Sequence, residues 1–110
     1  MLLMGESING TRKQVAEAIQ ARDAEFIKTL ATDQVAAGAG LLDVNGGVAG
    51  GDEVADITWL IETVMSVSDM QLMVDSANPV ALDAGVRAII DAGGKEIGRA
   101  SCRERVYLRV

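Results

Sequence analysis

Three times along this chain a short apolar run gives way to a polar cluster and then to a helical pattern. The first run is Leu2-Leu3-Met4, followed by Gly5-Glu6-Ser7-Ile8-Asn9-Gly10. Thr11 and Gln14 then stand at capping-box spacing, and Val15, Ala18 and Ile19 continue at helical spacing. Asp23 is placed to cap a second helix whose apolar stripe is Phe26, Ile27, Leu30 and Ala31, with Gly38 and Gly40 stopping it. The second run, Leu41-Leu42-Asp43-Val44-Asn45, leads into a glycine-rich loop and a helix with Val54, Ile57, Ile61, Val64 and Met65 on one face. The third, Gln71-Leu72-Met73-Val74-Asp75, leads to Asn78-Pro79, a cap followed by a residue suited to the first helical position. Leu82, Gly85, Val86 and Ile89 form the stripe of that last helix, which Gly93-Gly94 end.

Strands alternating with helices imply parallel strands joined by right-handed crossovers. Either a (β/α)8 barrel or a doubly wound sheet satisfies this pattern. The polar strand ends favour the barrel: Glu6 and Asn9, Asp43 and Asn45, Asp75 and Ser76 would all face one mouth. A doubly wound sheet gathers such ends mainly at its switch point. A barrel takes about 250 residues, so this 110-residue chain is expected to hold about three βα units, the N-terminal part of a truncated barrel.

Charge and composition remove several function classes. A net charge of −6 lacks the clustered positive charge that nucleic-acid phosphates demand. No apolar run has membrane-spanning length, and the expected location is cytoplasmic. With one cysteine and no histidine, an internal disulfide, a His/Cys zinc site and a Ser–His–Asp triad are all excluded. The loop from Gly46 to Gly51 carries no Lys-Ser or Lys-Thr, and Asp52 and Glu53 stand where anion-binding groups would be wanted. A nucleotide loop is therefore not expected. Met65, Met70 and Met73 read as core filling.

Residues 96–110 differ from the rest in character. They hold four of the ten basic residues, the only cysteine and the only tyrosine, and no strand is evident where a fourth βα unit should begin. The stretch from Glu96 to Val106 can be spelled, codon for codon, by a short-read sequencing adapter. Residues 1–95 are accordingly expected to be the native barrel portion and residues 96–110 a non-native tail.

Up to Lys95 the chain resembles the methyltetrahydrofolate:corrinoid methyltransferases, pterin-binding relatives of dihydropteroate synthase and of the folate domain of cobalamin-dependent methionine synthase. Four stretches carry the resemblance, in order and in register: Gly5-Glu6-Ser7-Ile8-Asn9-Gly10, Gln34-Val35-Ala36-Ala37-Gly38-Ala39, Leu42-Asp43-Val44-Asn45 and Val74-Asp75-Ser76-Ala77-Asn78. The resemblance implies a truncated (β/α)8 barrel that binds methyltetrahydrofolate. It also implies a reaction that moves the N5-methyl to the cobalt of a corrinoid carried by a partner protein or cobalamin-binding domain. A homodimeric parent, one-carbon metabolism and no metal of this chain's own complete the expectation.

A pterin presents an exocyclic amine and ring N–H along one edge, and a carboxylate accepts two such bonds at once. Asp75 is the leading candidate for that role, in agreement with the resemblance. Asn9 and Asn45 offer mixed donor and acceptor capacity at the mouth, or serve as turn residues. Asp43 contacts the ligand or orders the neighbouring loops, and Ser76 and Asn78 are read as starting the next helix. The resemblance places a further asparagine near N5, and another pterin-contacting aspartate, on strands beyond Lys95. The 110-residue chain is thus expected to be inactive, with its catalytic residue unassigned.

Two other readings stay open. A dihydropteroate synthase usually continues its second strand into Gly-Gly-Glu-Ser, whereas here Asn45-Gly46-Gly47 runs into Val48. A small non-catalytic α/β interaction module would require a native tail and coincidental polar strand ends. A long sequencing read through the source locus tests the tail. The expected result is a frame that departs from residues 96–110 and continues with an apolar strand and further βα units. A locus that encodes those residues and then stops would refute the boundary at Lys95.

Overall fold

A computed structural model describes residues 4–48, 50–68, 71–93, 96–100 and 107–109, with side chains from Ile8 to Gly93. Among the described residues nine elements follow one another: β1 (Met4–Asn9), α1 (Lys13–Ala21), α2 (Ala24–Ala36), β2 (Leu41–Asn45), α3 (Glu53–Met65), β3 (Gln71–Ser76), α4 (Pro79–Asp91), β4 (Glu96–Ala100) and β5 (Tyr107–Arg109). The sheet order is β1-β2-β3-β4-β5, parallel through β4, with β5 antiparallel to it.

Sequential order with no reversal is barrel topology rather than doubly wound topology, which reverses at a switch point. The core gives a second argument. Ile8, Leu42, Val44, Leu72 and Val74 share one apolar cluster with buried residues of all four helices, among them Ile19, Ile27, Ile61 and Ile89. All four helices thus pack on one face of the sheet, as in a (β/α)8 barrel, where a doubly wound sheet is covered on both faces. The helical stripes read from periodicity supply this layer: Val15, Ala18, Ile19, Ile27, Ala31, Ile57, Ile61, Val64, Leu82, Val86 and Ile89 are all buried.

Helix boundaries follow from caps. The Asp23 carboxylate accepts from the Phe26 amide at 3.2 Å, and Asp52 accepts from Ala55 at 3.2 Å. The Asn78 side chain accepts from Val80 at 3.0 Å, with Pro79 opening α4. Each satisfies one of the orphan amides of a helix start. The helix α2 ends shortly before Gly38, whose φ of 101° ordinary side chains disfavour.

Several expectations are corrected. The Thr11–Gln14 capping box does not form: α1 starts one residue later, with Arg12 at its cap and no side-chain cap bond. Thr11 instead donates to Asn9, which competes for the same hydroxyl. The first strand runs through the polar cluster to Asn9 rather than ending at Met4, because that cluster pairs with β2; Leu2 and Leu3 lie outside the described residues, as do Met70 and Gly94. Met73 is buried as expected of core filling, on the sheet face turned away from the helices, beside Asp43 in register. A strand also forms where none was evident: β4 pairs in parallel with β3, and β5 extends it. Without β4 this edge of β3 would present unpaired amides and carbonyls, and backbone groups pair whatever the side-chain pattern of the partner.

Gly85 marks the closest approach of helix to sheet. A Cβ there would stand 2.7 Å from Val74 Cγ1 and 3.2 Å from Ile61 Cδ1. Alanine gains about 1 kcal/mol of helix propensity over glycine, but overpacking costs about 1–3 kcal/mol, and a β-branched valine has little freedom to yield. Gly85→Ala is therefore expected to lower the thermal midpoint by a few degrees, followed by circular dichroism. A raised midpoint would show that α4 has room to lift from β3.

Candidate functional site at the strand ends

Strand pairing decides which side chains share a face. Ile8, Val44 and Val74 lie in one register row and face the helices. Since side chains alternate along a strand, the next residues, Asn9, Asn45 and Asp75, form a row on the opposite face. Asp43 lies one layer deeper on that face, paired in register with Met73. Three strands thus bring all four sequence-predicted residues to one face, at one end of the sheet.

Asn9 reaches that row through an irregularity in β1. Gly5 pairs with Leu42 but Ile8 pairs with Val44, so three steps on β1 match two on β2. The extra residue inverts the alternation between Gly5 and Ile8, which turns Ile8 to the helices and Asn9 to the inner face.

Hydrogen bonds define what the two asparagines offer. Asn9 Oδ1 accepts from the Thr11 amide at 2.9 Å and from the Thr11 hydroxyl at 2.8 Å. Asn45 Oδ1 accepts from the Gly47 amide at 2.8 Å. Both oxygens therefore serve their own turns, as Asx-turns do. Asn9 Oδ1 has both lone pairs engaged, whereas Asn45 Oδ1 keeps one, and each side chain carries N–H donors besides. The turns are pressed together as well: the Gly10 amide donates to the Asn45 carbonyl at 2.7 Å. A Cβ on Gly10 would stand 3.2 Å from the backbone of Gly46 and Gly47, and one on Gly46 would stand 3.0 Å from the Ile57 amide nitrogen. The glycine-rich loop here serves close backbone approach between β1, β2 and α3.

Asp43 and Asp75 are both buried, 8% and 9% exposed. They place two buried carboxyl groups on the inner face of the sheet.

Sequence reading missed two polar ties. The Ser76 hydroxyl donates to the Glu53 carboxylate and accepts from the Asn78 amide at 3.0 Å, joining the end of β3 to the start of α3. Arg22, in the left-handed region at φ 54°, pairs with buried Asp56 at 2.9 Å and lies 5.1 Å from the Trp59 ring centre. No sequence spacing links these partners, because the tertiary fold alone juxtaposes them. Among the described residues no group of three or more His, Cys, Asp or Glu is arranged to hold a metal ion. No described helix is long and apolar enough to cross a membrane.

Comparison with known proteins agrees with this geometry. Residues 5–97 match the family described as pterin binding enzyme. The chain is 34% identical over 84 residues to a methylcorrinoid:tetrahydrofolate methyltransferase of Eubacterium limosum, covering 76% of this chain and 31% of that protein. It is 33% identical over 104 residues to a methionine synthase of Mycobacterium leprae (strain TN), covering 89% of this chain and 9% of that protein. A methionine synthase of Mycobacterium tuberculosis (strain ATCC 25618 / H37Rv) is 34% identical over 87 residues, 78% of this chain and 7% of that one. The chain thus spans less than a third of the length of these relatives. The matched residues include β1 from Gly5 onward, β2, β3 and the four described helices, and on that match the chain belongs to the family of pterin-binding enzymes, whose fold is the (β/α)8 barrel.

Proposed function

We propose that the chain supplies the first pterin-contacting strands of a methyltransferase that moves a methyl group between N5 of a folate and the cobalt of a corrinoid protein. The observation that carries this reading is the row Asn9, Asn45 and Asp75 at the ends of three adjacent parallel strands. The relative named for methyl transfer between a methylcorrinoid and tetrahydrofolate supports it. That name describes transfer toward the folate, opposite to the direction the sequence resemblance implies. One site serves both directions, since the N5 that leaves as an amine in one attacks as an amine in the other.

In this reading the buried Asp75 carboxylate accepts two N–H bonds from the amine-bearing edge of the pterin. Bonds to a charged acceptor contribute about 1.5–3 kcal/mol each, and the paired geometry fixes the ring plane. The amides of Asn9 and Asn45, whose oxygens serve their turns, donate toward acceptor atoms of the ligand. Asp43 orders this inner face from one layer below. Protonation of N5 assists its departure when the folate is the donor. The corrinoid is carried by a partner protein or domain and supplies the metal that exchanges the methyl group. The 110 residues alone are proposed to engage the pterin without catalysing transfer. A dihydropteroate synthase shares the pterin requirement but not the corrinoid relationship.

Titration of the isotopically labelled chain with tetrahydrofolate, read by NMR, tests the assignment. Saturable shifts are expected at the Asp75 amide and at the side-chain amides of Asn9 and Asn45. Asp75→Ala should weaken the interaction at least tenfold, equivalent to about 1.4 kcal/mol. Unchanged affinity in that variant would refute the role given to Asp75.

A further inference from the structure

We infer that Glu53 is a positioning residue for Asp75, acting through Ser76; this rests on Asp75 being the pterin carboxylate. Asp75 and Ser76 are consecutive on β3, so their side chains leave opposite faces of the sheet. Asp75 faces inward, and Ser76, 2% exposed, faces the helix layer. The Ser76 hydroxyl is held from two directions, donating to the carboxylate of Glu53 in the first turn of α3 and accepting from the Asn78 amide at 3.0 Å. The first bond crosses between elements and the second closes the turn into α4. Together they fix the last peptide of β3 at the point where sheet pairing gives way to loop.

That peptide is the one whose orientation sets the direction of the Asp75 Cα–Cβ bond. Small errors of direction there matter, because a two-bond contact between a carboxylate and a pterin edge tolerates little rotation. Glu53 itself is anchored: Asp52 caps α3 on the Ala55 amide at 3.2 Å, and the preceding loop is pinned where Gly46 meets the Ile57 backbone. The rigid α3 start therefore serves as the reference against which the end of β3 is held. Neither Glu53 nor Ser76 is expected to touch the ligand.

The test separates orientation from stability. In the unmodified 110-residue chain, three-bond couplings across χ1 of Asp75 should report one staggered rotamer. Glu53→Ala should average those couplings over several wells and weaken tetrahydrofolate binding at least threefold. Glu53→Gln, whose amide oxygen still accepts from Ser76, should restore both. Ser76→Ala repeats the test from the other partner should Glu53→Ala fail to fold. Ile27→Val, a destabilising change distant from β3, should lower the melting midpoint and leave the couplings unaltered. Couplings unchanged in both Glu53→Ala and Ser76→Ala would overturn the proposal, as would failure of Glu53→Gln to restore them. If the rotamer responds as expected but Asp75→Ala binds tetrahydrofolate as tightly as the unmodified chain, the pterin role of Asp75 fails and the tie itself stands.

Discussion

Everything in this molecule depends on the two-faced alternation of its parallel strands. Ile8, Val44 and Val74 share one row, so one face carries the apolar side chains that the helices cover. The same register obliges the next residue of each strand to the other face, where Asn9, Asn45 and Asp75 collect. A shift of a single residue in any strand would exchange the two faces, exposing valines and burying asparagines under helices. The hydrophobic requirement of one face thus fixes which residues the other face receives. In this fold the stability of the core and the assembly of the site are consequences of one register.

The irregularity in β1 shows how the requirement is met where simple alternation fails. Between Gly5 and Ile8 the strand carries one residue more than its partner. That insertion brings Ile8 onto the helix face and Asn9 onto the site face. Bulges of this kind occur where a side chain must be re-aimed, and Asn9 is such a side chain. Its oxygen then closes the turn to Thr11, and the capping box that the sequence suggested gives way. One local hydrogen bond was exchanged for another because the strand before it had to end at Asn9.

Charge is distributed on a similar logic. The buried acids meet different needs: Asp56 pairs with Arg22 at the corner between α1 and α2, whereas Asp43 and Asp75 lie on the inner face of the sheet. Breaking a buried pair is costly because the remaining charge loses its compensation, so the Arg22–Asp56 contact ties the α1–α2 corner to α3. Close backbone approach among Gly10, Gly46 and Gly47 does the same for the loops above β1 and β2. The α1–α2 corner and the loops above β1 and β2 are thus both braced against α3.

The sequence alone determined the repeating βα grammar, the helical stripes and the caps at Asp23 and Asn78, because periodicity and capping are local and depend on neighbours within a turn. It also singled out Asp75, Asn45, Asn9 and Asp43, as polar residues closing apolar runs, while leaving a turn role open for the two asparagines. What the tertiary structure decided was everything that needed two strands at once. The choice of barrel order over a doubly wound sheet, the bulge that aims Asn9 and the pairing of β4 with β3 all arise between elements distant in sequence. So do the Glu53–Ser76 and Arg22–Asp56 ties. Side-chain pattern could not reveal β4, because its partner is a backbone edge, and hydrogen bonding by amides and carbonyls is common to every residue but proline.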